Sequence, residues 1–230
     1  MFSIEMTDLT KTYLQGEIKV HALNGINLEI EEGEFAAICG PSGSGKTTAL
    51  NLIGALDVPT SGSIKVRGKD LAGMNKGELA RMRLEHIGFV FQAYNLIPVL
   101  TAFENAEFVL MLRGVSKSER VKKVTAILEE VGLQGMMDRL PNQLSGGQQQ
   151  RVAIARAVVA EPALILADEP TANVDSKTAE ALLDLMENLN KNHGVTFLFT
   201  THDPRVMKRA KRLITLQDGN IVNDLRQNGE

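Results

Sequence analysis

The chain has 230 residues, room for one large domain or two small ones, with 43% hydrophobic and 23% charged residues, ordinary proportions for a soluble globular protein. A formal net charge of −3 provides no electrostatic footprint for nucleic acid or anionic lipid, so no nucleic-acid partner is expected. The lone Cys39 excludes an internal disulfide, no apolar run reaches membrane-spanning length, and the first six residues lack a signal peptide's basic and apolar regions.

In chain order, residues 3–30 carry alternating stretches (Ile4 and Met6; Ile18, Val20 and Ala22; Ile26, Leu28 and Ile30) that predict antiparallel strands. Residues 31–34 predict a turn into the apolar run Phe35–Cys39, a buried parallel strand in which Cys39 serves as a small hydrophobe. Next comes Gly40-Pro41-Ser42-Gly43-Ser44-Gly45-Lys46-Thr47, which fits the phosphate-loop pattern G-x-x-x-x-G-K-[ST] at every fixed position, and residues 48–53 open a helix. Residues 59–63 and 68–70 predict turns around a strand at 64–66, and Ile87–Phe91 predicts a strand ending at Gln92. From Gln92 to about Leu144 the pattern turns helical. Ser116 and Glu119 have capping-box spacing, Val121, Val124, Ile127, Leu128 and Val131 recur at helical intervals, and Gly132 supplies a stop.

The second half alternates again. A helix over 152–159 ends before Pro162, a buried strand covers 163–167, and Leu182, Leu185, Met186 and Leu189 form a core stripe that Gly194 terminates. A strand at 195–199 leads to Asp203-Pro204, an N-cap with proline at the first helical position, and a strand at 213–216 closes the fold. The expected class is α/β: a mostly parallel sheet with helices on both faces, an antiparallel β subdomain and a helical insert at about 93–155, within one domain of residues 1–230.

The chemistry follows from where these residues fall. A glycine-rich loop between strand and helix lets backbone N–H groups curl around an anion, and the helix N-terminus adds partial positive charge. Lys46 would reach the β- and γ-phosphates and the Thr47 hydroxyl would ligate Mg²⁺. The run 164–169 delivers two carboxylates at a strand's C-terminal end, with Asp168 suited to Mg²⁺ and Glu169 to polarising an attacking water as general base. Gln92 could reach Mg²⁺ and that water, and His202, after a strand, could contact a γ-phosphate. His21, His86 and His193 have no companions at metal-ligand spacing and receive no function. Ser145-Gly146-Gly147-Gln148 opens a helix as a serine cap followed by two glycines, a second anion-binding end. Two such ends can serve one nucleotide if a head-to-tail dimer makes them face each other; an ordinary capped helix is the plainer reading.

Taken in order, Gly40–Thr47, Gln92, the Leu-Ser-Gly-Gly-Gln run at 144–148, 164–169, Asn173-Val174-Asp175 and His202 resemble the motif set of the ABC transporter ATPase domain, across nearly the whole chain. Residues 88–92, 95–98, 148–151 and 167–171 resemble the lipoprotein-releasing and macrolide-export group. Val174 stands where leucine is frequent, and Ala106-Glu107-Phe108 departs from that group's usual segment. The resemblance implies the ABC ATPase fold, an active ATPase, ATP and Mg²⁺ as cofactors, and Tyr13 stacked on adenine with Val20 nearby. It also implies that Ser42, Gly43, Ser44, Gly45, Lys46, Thr47 and Thr48 bind phosphates and metal. Ser145, Gly146, Gly147 and Gln148 would complete the opposite subunit's site, and Asp175 would lie in the loop crossing a homodimer interface. The implied partner is a transmembrane permease with a large extracytoplasmic domain, which would hold the cytoplasmic chain peripherally at the membrane's inner face. Lipoprotein, peptide or drug export is the implied work; the alternative is a mechanical ATPase that regulates a cell-envelope process through a permease-like protein. A DNA-repair or translation ATPase would carry a coiled-coil insertion or a tandem unit, and this chain has neither.

Overall fold

A computed structural model describes residues 1–227. The alternating N-terminal stretches form two long strands, β1 (Phe2–Gln15) and β2 (Ile18–Glu31), paired antiparallel with Met6 opposite Leu28 and Tyr13 opposite Val20. β3 (Phe35–Cys39) leads through the glycine loop into helix α1 (Lys46–Ile53). β4 (Ser61–Val66) and β5 (Lys69–Asp70) complete a four-stranded antiparallel sheet in the order β2-β1-β4-β5. Here the structure moves two predicted turns. Ser61, Gly62 and Ser63 lie in β4, because the strand runs on past a bulge in β1 to pair Ser61 with Thr10. The second turn is Arg67-Gly68, both with positive φ, which sends Lys69 and Asp70 back onto β4.

Helix α2 (Lys76–His86), absent from the expectations, precedes β6 (Ile87–Phe91). The insert contains α3 (Ala102–Leu112) and α4 (Lys117–Glu130), then a 3-10 turn at Pro141–Gln143 and the long α5 (Gly146–Val158). At Ser116 the capping box is half made. The serine hydroxyl accepts from the Glu119 N–H at 3.4 Å, but the Glu119 carboxylate faces Lys123, 3.8 Å away, instead of returning to the cap. The chain finishes with β7 (Leu164–Asp168), α6 (Ser176–His193), β8 (Thr196–Thr201), α7 (Pro204–Arg209), β9 (Arg212–Gln217) and an unforeseen edge strand, β10 (Asn220–Arg226).

These strands build a six-stranded sheet in the order β10-β9-β3-β8-β7-β6, parallel except for β10. Because strand side chains alternate, the central strands feed two cores. Phe35, Ala37, Ile165, Ala167, Phe197 and Phe199 face α3 to α7, with Leu182, Leu185, Met186 and Leu189 of α6 in that core as expected. Ala36, Ile38, Leu164, Leu166 and Leu198 face α1, α2 and the antiparallel sheet. Phe35 is the centre of an aromatic group, with ring centroids 5.7 Å from Phe197 and 4.7 Å from Phe199. Burying each ring contributes roughly 1.5–3 kcal/mol. Cys39 is buried and reduced, its sulfur 3.5 Å from the Thr215 hydroxyl. Among the described residues no helix is long and apolar enough to cross a membrane.

Candidate nucleotide site

Strand register assembles the site. Phe91 pairs with Asp168, Asp168 with Thr200, and Cys39 with Thr201, so the residues that follow these positions emerge together at the C-terminal edge of the parallel sheet. They line a cleft of about 710 Å³ that includes Tyr13, Val20, Ser42, Gly43, Gly45, Lys46, Thr47, Thr48, Gln92, Asp168, Glu169 and His202. Ser44 is the exception among the loop residues. It is buried, does not line the cleft, and its hydroxyl has no partner among the described residues.

Gly45 caps α1 with φ of 104°, and a Cβ there would sit 2.5 Å from the Ala22 carbonyl oxygen, so both conformation and space demand glycine. The Lys46 ammonium donates to the Gly40 and Pro41 carbonyls at 2.8 Å each, inside the curl of the loop. The two carboxylates are held separately. Asp168 accepts from the Thr200 hydroxyl. Glu169 sits at φ 45°, a left-handed conformation that costs a non-glycine residue on the order of 1 kcal/mol or more. Its Oε1 accepts from the His202 N–H at 3.1 Å and His202 Nδ1 at 2.6 Å, and its Oε2 from the Thr201 hydroxyl at 3.1 Å. Three donors therefore fix this carboxylate.

The Tyr13 ring is equally well positioned. Its hydroxyl donates to Asp57 Oδ2 at 2.8 Å, and Lys11, 2.7 Å from Asp57 Oδ1, lies 4.8 Å from the centre of the ring. Burial, then the Asp57 bond, raises the Tyr13 phenol above its ordinary pKa, so it remains a donor at neutral pH. Burial works against ionisation of Asp57, but bonds from Lys11, Tyr13 and the Val58 N–H prevail and hold its carboxyl below the usual range.

Thr47, Gln92 and Asp168 bring a hydroxyl, an amide and one carboxylate to this cleft, all hard oxygen donors. Among the described residues no group of three or more His, Cys, Asp and Glu could hold a metal. The donor set fits Mg²⁺, which takes one or two protein oxygens and completes its shell with phosphates and water. It does not fit a site built wholly from protein ligands.

The second motif lies outside this cleft. Ser145 caps α5 in a full box: its hydroxyl accepts from the Gln148 N–H at 3.3 Å, and Gln148 Oε1 accepts from the Ser145 N–H at 2.9 Å. The serine proton and the first N–H groups of α5 remain available for an anion. Asp175 caps α6, its carboxylate taking the Thr178 hydroxyl at 2.6 Å and N–H at 3.0 Å. None of these residues lines the cleft of its own chain. His21, Ala22, Gly40 and Pro41 line it beyond the expected set. His21, assigned no function from sequence, is placed there by its adjacency to Val20. Nothing local to Asp57 or Lys11 signals that they brace Tyr13.

Residues 23–172 match the family described as ABC transporter. The chain belongs to the ABC transporter family. It is 47% identical over 219 residues to YknY, an uncharacterized ABC transporter ATP-binding protein of Bacillus subtilis, covering 95% of each. It is 45% identical over 223 residues to the lipoprotein-releasing system ATP-binding protein LolD of Anaeromyxobacter dehalogenans, covering 96% of this chain and 93% of that one. The macrolide export ATP-binding/permease protein MacB of Rhodopirellula baltica is 46% identical over 226 residues; the match takes in 97% of this chain, which spans about a third (33%) of that relative's length. A solved dimer of the ATP-binding cassette MJ0796, in a post-hydrolysis state bound to ADP and Pi, superposes with a TM-score of 0.90 at 44% identity, covering 99% of this chain and 100% of that one. The fold is therefore that of an ABC ATPase, and the chain is an ATP-binding, ATP-hydrolysing subunit of an ABC transporter.

Proposed function

We propose that two copies close head to tail around two ATP·Mg²⁺, each nucleotide held between one copy's glycine loop and the other's Ser145 end. The observation that carries this is a division of labour. One cleft gathers the glycine loop, Gln92, Asp168, Glu169 and His202, while the Leu-Ser-Gly-Gly-Gln run at 144–148, the signature run, opens a second anion-binding helix end outside it. Tyr13 stacks on adenine, with Val20 alongside. Backbone N–H groups over 42–48 and the Lys46 ammonium hold the phosphates. Thr47, Asp168 and Gln92 are the residues that would hold Mg²⁺, which when bound neutralises phosphate charge. Glu169 polarises the attacking water, His202 contacts the γ-phosphate, and Gln92 senses it. Ser145, Gly146, Gly147 and Gln148 supply the opposite face, with Asp175 at the crossing loop. Closure is driven by contacts that exist only in the closed, ATP-filled state, and hydrolysis removes them.

A permease with a large extracytoplasmic domain is the proposed partner, holding this chain at the inner face of the membrane for lipoprotein, peptide or drug export. The relatives named for lipoprotein release and macrolide export support that class. A groove of about 250 Å³ beside Gln92, lined by apolar side chains such as Phe91, Val109 and Pro162 and by Asn95, Arg113 and Arg156, supports a permease contact at this face. Residues 1–227 share two continuous cores, which supports a single domain carrying its helical insert.

Glu169→Gln tests the chemistry. ATP binding should persist within a few-fold while turnover falls by about 10²–10⁴, the usual share of a general base. Turnover close to that of the unmodified chain would remove Glu169 from this role.

A further inference from the structure

The signature end of α5 does not hang free of the Gln92 segment; contacts inside one chain join them. The Tyr94 hydroxyl donates to the Asn173 carbonyl at 3.1 Å. The same hydroxyl rests against the first residue of α5, where a Cβ on Gly146 would come within 2.8 Å of it. Asn173 in turn donates from Nδ2 to the Gln92 carbonyl at 2.9 Å. Further along α5, the half-buried Arg156 donates to the carbonyls of Tyr94 at 2.9 Å and Asn95 at 2.6 Å. Those two residues stand in succession at φ 61° and 50°, backbone that persists only when its surroundings impose it. Arg156 holds it from the carbonyl side, and the Tyr94 N–H on the Phe91 carbonyl at 3.1 Å holds it from the other. Gln150 of the same helix donates to the Pro170 carbonyl at 2.7 Å, immediately after Glu169. Beside Gly146 in the first turn, a Cβ on Gly147 would meet the Thr178 methyl at 2.4 Å, so α5 is also seated against the start of α6.

We propose that Tyr94 and Arg156 are positioning residues of the ATP cycle: they clamp the Gln92 segment to the signature end of α5, so that the γ-phosphate sensed in a subunit's own cleft sets the Ser145 end it offers to the partner's cleft. This rests on the head-to-tail reading above. Neither side chain lines the nucleotide cleft. The Tyr94 hydroxyl is nonetheless linked to the Gln92 carbonyl through two successive hydrogen bonds at Asn173 and is one contact from Gly146. Burial raises the Tyr94 phenol, so it remains the donor throughout the neutral range. An interface residue of the partner's site is thereby mechanically tied to the sensor of the subunit's own site, which couples the two nucleotides in the dimer.

Tyr94→Phe keeps the ring and removes only the donor. In the full chain it should leave the thermal unfolding midpoint and the monomer's Kd for ATP unchanged while turnover falls about tenfold. In the Glu169→Gln background it should raise the ATP concentration for half-maximal dimerisation by a similar factor. A merely structural tyrosine would not give the second signature. Tyr94→Phe added to Gln92→Ala should change turnover by less than about twofold, because both substitutions break the same joint. Arg156→Lys, which retains charge but not the two-carbonyl fork, should resemble Tyr94→Phe. Losses that multiply in the double variant, or a Tyr94→Phe chain indistinguishable from the unmodified one, overturn the inference. If Glu169→Gln itself shows no ATP-dependent dimer, the head-to-tail reading falls first and takes this one with it; if it dimerises and Tyr94→Phe makes no difference, only the clamp falls.

Discussion

At the residue scale, the proposed adenine platform shows how far a single side chain can be read. Tyr13 is visible in sequence only through family resemblance, and nothing near it announces its support. Asp57 lies 44 residues away, and Lys11 approaches one face of the ring, leaving the other for a base. Two substitutions separate stacking from support. Tyr13→Ala removes the platform, and with stacking at about 1–3 kcal/mol per base the KM for ATP should rise tenfold or more. Tyr13→Phe loses only the bond to Asp57 and should raise KM by a few-fold with kcat unchanged. Steady-state kinetics over ATP concentration checks both, and a Phe variant as impaired as the Ala variant would make the hydroxyl, not the ring, the binding element. Asp168 and Glu169 were legible for a contrasting reason. An apolar run ending in two acids beside a phosphate loop has one place to go in an open α/β sheet. What the run could not reveal is the left-handed backbone at Glu169 and its three donors, all from Thr201 and His202. Ser44 shows the opposite limit: the loop pattern groups it with its neighbours, but the fold buries its side chain.

At the scale of elements, segments with one strong apolar period were foreseen and those without one were missed. The α6 stripe and the buried strands β3, β7 and β8 each carry such a pattern. Helix α2 buries only Leu79 and Met82 and is mostly polar, so its period is weak, although the Asn75–Glu78 capping box marks its start. Strand β10 is a mostly exposed edge held by β9 and by ion pairs such as Arg212–Asp224 at 2.7 Å, which are set by tertiary placement. The aromatic group behind the sheet makes a direct stability prediction. Phe199→Ala should cost about 3–5 kcal/mol in chemical denaturation, since the ring is fully buried between Phe35 and Phe197. The N-cap of α7 makes another. Arg205 foremost, with the Arg205 N–H and the Thr171 hydroxyl, lowers Asp203 from its ordinary 3.8 to about 2. A carboxyl depressed in the folded state stabilises fully above its unfolded pKa, and that contribution is lost as pH falls toward about 2. Asp203→Asn should therefore be less stable near neutrality and flatten the stability profile between about pH 4 and 2. A profile with unchanged slope in that window would separate Asp203 from acid unfolding.

At the scale of the whole molecule, the chain reads as half of a catalytic unit. The cleft binds and the Ser145 end completes, and the two belong to different copies under the proposed arrangement. The ABC ATPase fold was accessible from motif order because each motif sits at a strand end or a helix start, although the sheet order β3-β8-β7-β6 rearranges the strands that carry them. The contacts between motifs were not, since Tyr94, Asn173 and Gly146 meet only after α5 packs across β6. The central claim is the dimer, and sedimentation of Glu169→Gln with and without ATP tests it most directly. The account predicts monomers without nucleotide, dimers with ATP·Mg²⁺, and a return to monomers when Ser145→Arg is added, because a bulky cation then blocks the helix end. An association state indifferent to ATP, or a dimer that tolerates Ser145→Arg, would contradict it.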